Sequence, residues 1–487
     1  MLGRQDHAGV GLVVVGGDAA GLSAASKCKR EDPDREVVVF EKGRWISYAH
    51  CGTPYYVKGE IPALTDLLSL SPAEAADRGI DLRREHAVTG IDIDERTVTV
   101  RGPDGDRHEQ PYGDLLVATG AHALTEPIDG SDLPGAFSLH GMDDAAAIRA
   151  ALEPAGEATV ESLGGGDFLD SSVLDPYADW APPEAVAIVG GGYVGVEMAE
   201  AFTAHGLDVH VFQRGDHLVA PFGEAVAERV EAELRDRGVA LHLGETVERL
   251  AGDGRVERVE CAGGTALDVD LALVGVGIGP NVDLVADTPV DLGDSGAVAV
   301  DDHGRTSVDG VYAAGDCAEA RHAVTGDFDW VPLGLTANRA GRAIGQTVAG
   351  DPKRTGDIAG TAVVKAFDQE CGRTGIVDDE RARAAGFDPV SETVTTASRS
   401  GYYPGAAETV VTLTADRETG RLLGGSIVGT DRAAVRIDTV ATALEADMTV
   451  AEVESLDLAY APPFSPVWDP VLTAAKVLNG SLESSEG

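Results

Sequence analysis

The chain alternates short apolar runs with glycine turns and small-residue or amphipathic stretches, the pattern of buried parallel strands joined by helices. The run at residues 11–15 leads into Gly16-Gly17-Asp18-Ala19-Ala20-Gly21 and a small-residue stretch at 22–28, which predicts strand, tight turn and helix. The apolar stretch from Val10 is too short for a signal-peptide core, lacks a cleavage site, and reads as part of that buried strand. Residues 37–41 predict a second strand ending on Glu41. The unit then recurs. A strand at 185–189 precedes Gly190-Gly191-Gly192-Tyr193-Val194-Gly195, a helix at 196–205 and a strand at 208–212. Two further strands are expected, one delivering Ala118-Thr119-Gly120 and one, at 310–316, delivering Asp316. From about residue 360 the pattern changes to β alternation at 361–367, 408–414 and 422–428, followed by a helix at 433–446, which suggests a further domain.

Two segments break the pattern. Residues 154–183 are rich in Gly, Asp and Ser without periodicity and read as an exposed, acidic inserted loop. The tail 479–487 reads as disordered.

At 487 residues the chain is too long for one core, and two or three domains are expected. Its 82 acidic residues against 38 basic ones give a net charge of −44, which repels nucleic acid and anionic lipid and so excludes both as partners. A charge of that size spread along the whole length resembles the hydrated acidic surface of halophilic proteins. No stretch approaches the roughly 20 apolar residues of a transmembrane helix. The five cysteines (Cys28, Cys51, Cys261, Cys317, Cys371) show no metal-ligand or paired spacing, so neither a metal site nor a disulfide framework is expected, and a reducing cytoplasm fits.

The chemistry gathers around Cys51, ten positions past Glu41 and without a second cysteine nearby in sequence. Two glycine units in one chain argue for two dinucleotides and electron transfer between them. In the first, Gly16, Gly17, Ala19 and Gly21 let the backbone approach a pyrophosphate, Glu41 can accept from a ribose diol, and Asp18 stands where the strict fingerprint has glycine. In the second, Gly190, Gly192 and Gly195 are in register beside Tyr193, and Gln213-Arg214 replaces the carboxylate of an NAD-selective site, which favours NADPH or dual use. Asp316, at a strand end, suits a flexible polyol such as a flavin ribityl chain. The basic cluster Lys27, Lys29 and Arg30 stands out in so acidic a chain and could meet the phosphates of a substrate.

The chain resembles the single-cysteine class of the pyridine nucleotide–disulfide oxidoreductases. The resemblance rests on Gly16–Gly21, Ser47-x-x-x-Cys51-Gly52-x-Pro54-Tyr55-Tyr56, Ala118-Thr119-Gly120, Gly190–Gly195, Ala314-Gly315-Asp316-Cys317, Leu335-x-Ala337-Asn338-x-x-Gly341-Arg342, Gly401-Tyr402-Tyr403-Pro404-Gly405 and Tyr460–Ser465. It implies an α/β protein with a discontinuous FAD domain (9–130 and 298–350), an inserted NAD(P)H domain (131–297) and a C-terminal α+β dimerisation domain (360–478). It also implies a homodimer in which Tyr402 and Tyr460 reach the other subunit's Cys51 pocket and help protonate a departing thiolate, with Tyr403 as a substitute for Tyr402. Ser47 and His50, flanking Cys51, with Lys27 and Arg30, are the implied substrate contacts; His50 stands where the class commonly has asparagine. The resolving cysteine of two-cysteine relatives is Tyr56 here, so the oxidised thiol must be a mixed disulfide or a sulfenic acid. Oxidases and peroxidases of the class carry a histidine in the first glycine loop. This loop has none, which favours NAD(P)H-dependent reduction of coenzyme A disulfide or a related small disulfide or persulfide. The alternatives are an NADH oxidase reducing oxygen at the flavin and a flavin-bound redox sensor. Because the thiolate is the reactive form, the pocket is expected to depress the Cys51 pKa.

Overall fold

A computed structural model describes residues 11–126 and 128–485. The expected domain start at residue 9 and the last two tail residues, 486–487, lie outside the described residues.

Each glycine unit builds its own parallel sheet. The first runs, edge to edge, Val311–Ala313, Asp114–Val117, Leu12–Val15, Val37–Phe40 and Asp81–Arg83. Its inner strands are continuous apolar runs because helices and a β-meander cover both faces. On one face the helices Ala19–Glu31 and Gly334–Val348 meet closely, since a β-carbon at Gly341 would lie 2.2 Å from the Ala20 carbonyl oxygen. The second sheet runs Ala240–Leu243, Asp208–Gln213, Ala185–Val189, Leu271–Val274 and Ala136–Phe137, also parallel. An antiparallel ribbon, Ala121–Ala123 with Ile278–Pro280, marks where the chain leaves the first unit and returns to it. The return comes earlier than residue 297: Val285 and Val290 are buried with Val13, Val15 and Leu115 in the first unit's core.

The C-terminal sheet is antiparallel, in the order Ala362–Ala366, Gln369–Gly375, Leu422–Gly429, Glu408–Asp416, Pro389–Ala397. Its alternation serves two cores. Val411, Leu413 and Ile427 pack with the helices Ala433–Glu445 and Pro470–Ser485, while Val364, Cys371, Val410 and Val428 join the core of the second unit.

One expectation is corrected here and one is qualified. The helix Pro470–Ser485 runs through most of the tail expected to be disordered, because Leu478 is buried, Leu482 packs on the same core, and Asn479 donates to Glu454 at 3.0 Å. Segment 154–183 is exposed over much of its length, as expected, but it is anchored to the core rather than free. Leu163, Leu169 and Leu174 are buried against Tyr56, Leu64 and Ile148, and the Leu163 carbonyl accepts from Leu64 N (3.2 Å) and Tyr56 Oη (3.2 Å). Its apolar residues are spaced for packing by turns and short 3₁₀ pieces, which carry no period to read. Among the described residues no helix is long and apolar enough to cross a membrane.

Candidate active site

The two glycine loops have the same backbone. Gly16 (φ +113°) and Gly190 (φ +112°) lie where a β-carbon would fall 2.0 Å and 2.2 Å from the carbonyl oxygens of Ala118 and Gly275. At Gly21 and Gly195 it would strike the Gly16 and Gly190 oxygens, at 1.9 Å and 2.0 Å. Each loop then opens a helix with no acidic residue in its first turn, so backbone N–H groups face the loop without a competing carboxylate there. Beside Gly120 and Gly192 a β-carbon would meet nothing within 4 Å, which leaves room for a ligand against the backbone. Both cradles fit a dinucleotide.

At the strand ends the loops diverge. The Glu41 carboxylate accepts from Gly17 N (2.8 Å) and Gly43 N (2.7 Å), and burial pushes its pKa up against those two bonds. The equivalent side chain in the second unit, Gln213, accepts from Gly191 N at 3.1 Å and carries no charge. Arg214 beside it is exposed. The turn at Thr119 and Gly120 is held by Asn281, which donates to Thr119 O and Ala121 O (2.8 Å each) and accepts Thr119 Oγ1 through its own carbonyl (2.6 Å).

Cys51 sits in the one-turn segment His50–Gly52 that runs into the short helix Thr53–Lys58. It is exposed, whereas the other four cysteines are buried. Ser47, held at φ +41°, donates its N–H to Gly17 O (3.0 Å), so the segment leading to Cys51 lies on the first glycine loop. Asp18 fastens it further: one carboxylate oxygen accepts Tyr48 N (3.1 Å) and the other faces His50 Nε2. Tyr55, on the same short helix, donates to Glu197 Oε1 (2.9 Å) on the helix Tyr193–Ala204 of the second unit. Three residues on, Lys58 pairs with Glu200 of that helix at 2.6 Å. The thiol segment is thus bonded to both units.

The thiol does not behave as its sequence suggested. Although Cys51 reaches the surface, the protein packed around it pushes its pKa up, and the charges of Glu197 and Asp316 add to that. The helix after it has only six residues, and no cation is among the groups that shift the thiol to offset the two carboxylates. Asp316 is itself shifted up, by burial first and by Asp18, with His50 opposing. Burial and Glu200 raise Glu197 to about 7, against the Tyr55 hydrogen bond.

Of the remaining candidates, Lys27 is ion-paired with Glu31, and Lys29 is held by the carbonyls of Pro33 and Arg35, so the basic cluster is divided. Arg30 is exposed. Tyr402 and Tyr460 are 81% and 61% exposed on the C-terminal domain. Their two loops share an anchor: buried Arg436 donates to Ser398 O (2.6 Å), Phe464 O (3.0 Å) and Asp469 (3.1 Å). Glu197 and Asn281 escaped the sequence reading, and Tyr55 stood in it only as part of the cysteine motif. The signal for Glu197 was present, since Glu197 and Glu200 interrupt an otherwise apolar helical run.

Comparison with known proteins agrees with this architecture. Residues 10–341 match the pyridine nucleotide-disulphide oxidoreductase family, and residues 361–470 match its dimerisation domain. The NAD(P)H sulfur oxidoreductase (CoA-dependent) of Pyrococcus abyssi is 39% identical over 96% of this chain and 98% of its own. The NAD(P)H coenzyme A polysulfide/persulfide reductase of Pyrococcus horikoshii is 38% identical over the same shares. The solved structure of a NAD-dependent persulfide reductase from A. fulgidus superposes with a TM-score of 0.87 at 32% identity, covering 97% of this chain and 84% of that one.

Proposed function

Because the chain belongs to the pyridine nucleotide-disulphide oxidoreductase family, we propose that it is a flavoprotein using NAD(P)H to reduce coenzyme A disulfide, or a related small disulfide, persulfide or polysulfide, through Cys51. The observation that carries this reading is the single exposed thiol on a segment bonded to Asp18 of the first glycine loop and, through Tyr55, to Glu197 beside the second.

FAD would be held by Gly16, Gly17, Asp18, Ala19, Gly21, Glu41, Ala118, Thr119, Gly120 and Asp316. Bound there, it supplies two-electron transfer between a nicotinamide and a sulfur. NADPH or NADH would lie on Gly190, Gly192, Tyr193 and Gly195. The uncharged Gln213 and exposed Arg214 favour NADPH, since neither repels a 2′-phosphate.

The Cys51 thiolate attacks one sulfur of the disulfide; a bond forms between Sγ and that sulfur, and the other thiolate leaves. Tyr402 and Tyr460 of a second copy would donate the proton that the leaving thiolate takes. Their exposure on a domain of the dimerisation type supports a homodimer in which they do so. Two electrons from NAD(P)H and one proton then break the Cys51 mixed disulfide, releasing the second thiol. One disulfide, one NAD(P)H and one proton thereby give two thiols and NAD(P)+.

Purified protein should consume NAD(P)H in the presence of coenzyme A disulfide, and Cys51→Ser should abolish it. Full turnover by that variant would overturn the thiol mechanism. Oxygen uptake equal to disulfide turnover would replace it with the oxidase reading.

A further inference from the structure

Asp18 and His50 each depart from pattern, 32 positions apart, and the structure joins them. Asp18 stands at the N-cap of the helix Ala19–Glu31, where an aspartate ordinarily caps the helix with its side chain, yet it makes no such bond. Its two oxygens turn instead to Tyr48 N and His50 Nε2. The other ring nitrogen of His50, Nδ1, faces the His140 carbonyl at 3.1 Å. A carbonyl and a carboxylate only accept, so this pair of partners favours a His50 that donates from both ring nitrogens, the imidazolium form, in the direction of its raised pKa.

The position matters because the middle glycine of the fingerprint is where the backbone approaches the pyrophosphate. A bare carboxylate there would face two phosphates and would also stand near Asp316, whose carboxyl Asp18 pushes up. His50 contacts Asp18, and its charge opposes the rise at Asp316, favouring the ionised form of the latter. The groups around the His50 ring are Asp18, Asp316, the stacked Tyr48 ring at 4.2 Å and the His140 ring at 5.9 Å, with Cys51 next in the chain. His140 is driven down, by burial first and then by His50, which disfavours a second cation in the cluster.

We propose that Asp18 and His50 form an ionic clasp that fixes the Cys51 turn to the flavin-binding loop and cancels the charge Asp18 would otherwise present to the FAD pyrophosphate. The clasp frees the N–H groups of the helix Ala19–Glu31 for phosphate, because the capping carboxylate is held away from them. It also makes His50 a positioning residue rather than a substrate contact. The proposal rests on the first loop binding FAD.

The test is the rate of FAD release from the purified holoenzyme, followed by the rise in free flavin fluorescence, for wild type, Asp18→Asn, His50→Asn and the double variant. Packing around His50 pushes its pKa down, but the Asp18 hydrogen bond and charge together lift it above 6.5. Wild-type release should therefore accelerate as pH rises from about 6 to about 9. His50→Asn should release FAD about tenfold faster and lose that pH dependence, the size of roughly one unit of charge coupling. Adding Asp18→Asn should restore release to within about threefold of wild type, since no carboxylate is then left uncompensated. A double variant as fast as His50→Asn, or a wild-type rate flat with pH, would overturn the clasp. Wild-type protein purified without flavin would instead overturn the FAD reading beneath it.

Discussion

The two nucleotide loops share a backbone and differ in charge. Both place a positive-φ glycine against a neighbouring carbonyl and a second glycine under the helix that follows. The first then gathers Glu41, Asp18 and Asp316 and brings His50 against Asp18. The second offers Gln213, an exposed Arg214 and no carboxylate at the strand end. The backbone decides that a dinucleotide binds; the side chains decide which, and whether it stays. A carboxylate-lined site suits free ribose hydroxyls, and a neutral one with a cation nearby suits a 2′-phosphate that comes and goes.

Breaking the shared backbone should separate the units most sharply. Gly16→Ala should lower flavin content more than about tenfold, because a side chain at φ +113° costs about 1–3 kcal/mol in strain before its clash with Ala118 O. Gly190→Ala should retain flavin, read from the absorbance spectrum, yet lose NAD(P)H binding. Exchanging the strand-end charge comes next. Gln213→Glu with Arg214→Ala should move the ratio of kcat/KM for NADPH over NADH towards NADH by about thirtyfold, equivalent to about 2 kcal/mol.

Smaller effects test the link between the units. Glu197→Gln removes one of the charges that push the Cys51 thiol up, so the inflection of its alkylation rate with pH should move down. An unmoved inflection would mean that Glu197 does not reach the thiol. His50 should add a slight pH dependence to folding. Its folded pKa is raised, so its stabilising contribution is complete below 6.5 and disappears as pH rises through the raised value. Thermal melts of His50→Asn should lack that decline.

The glycine loops were legible in the sequence because tight turns and close approaches admit glycine alone, and the apolar runs beside them match the strands found. What escaped was non-local. Asp18 and His50 were visible as separate departures, but no periodicity connects residues that meet only once the chain folds. The absence of a histidine from the first loop was true of its sequence and not of its space, since His50 lies against it. The direction of the Cys51 shift was misjudged because it comes first from burial by the folded protein and then from Glu197, which arrives from the other unit. Segment 154–183 hid buried Leu163, Leu169 and Leu174 among glycines and aspartates.

The most direct test of the central claim is intact-mass spectrometry with peptide mapping, after adding coenzyme A disulfide to reduced protein and again after adding NADPH. A gain of one coenzyme A on the Cys51 peptide, lost on NADPH addition, is the result expected. NADPH consumption with coenzyme A disulfide while Cys51 stays unmodified would contradict it.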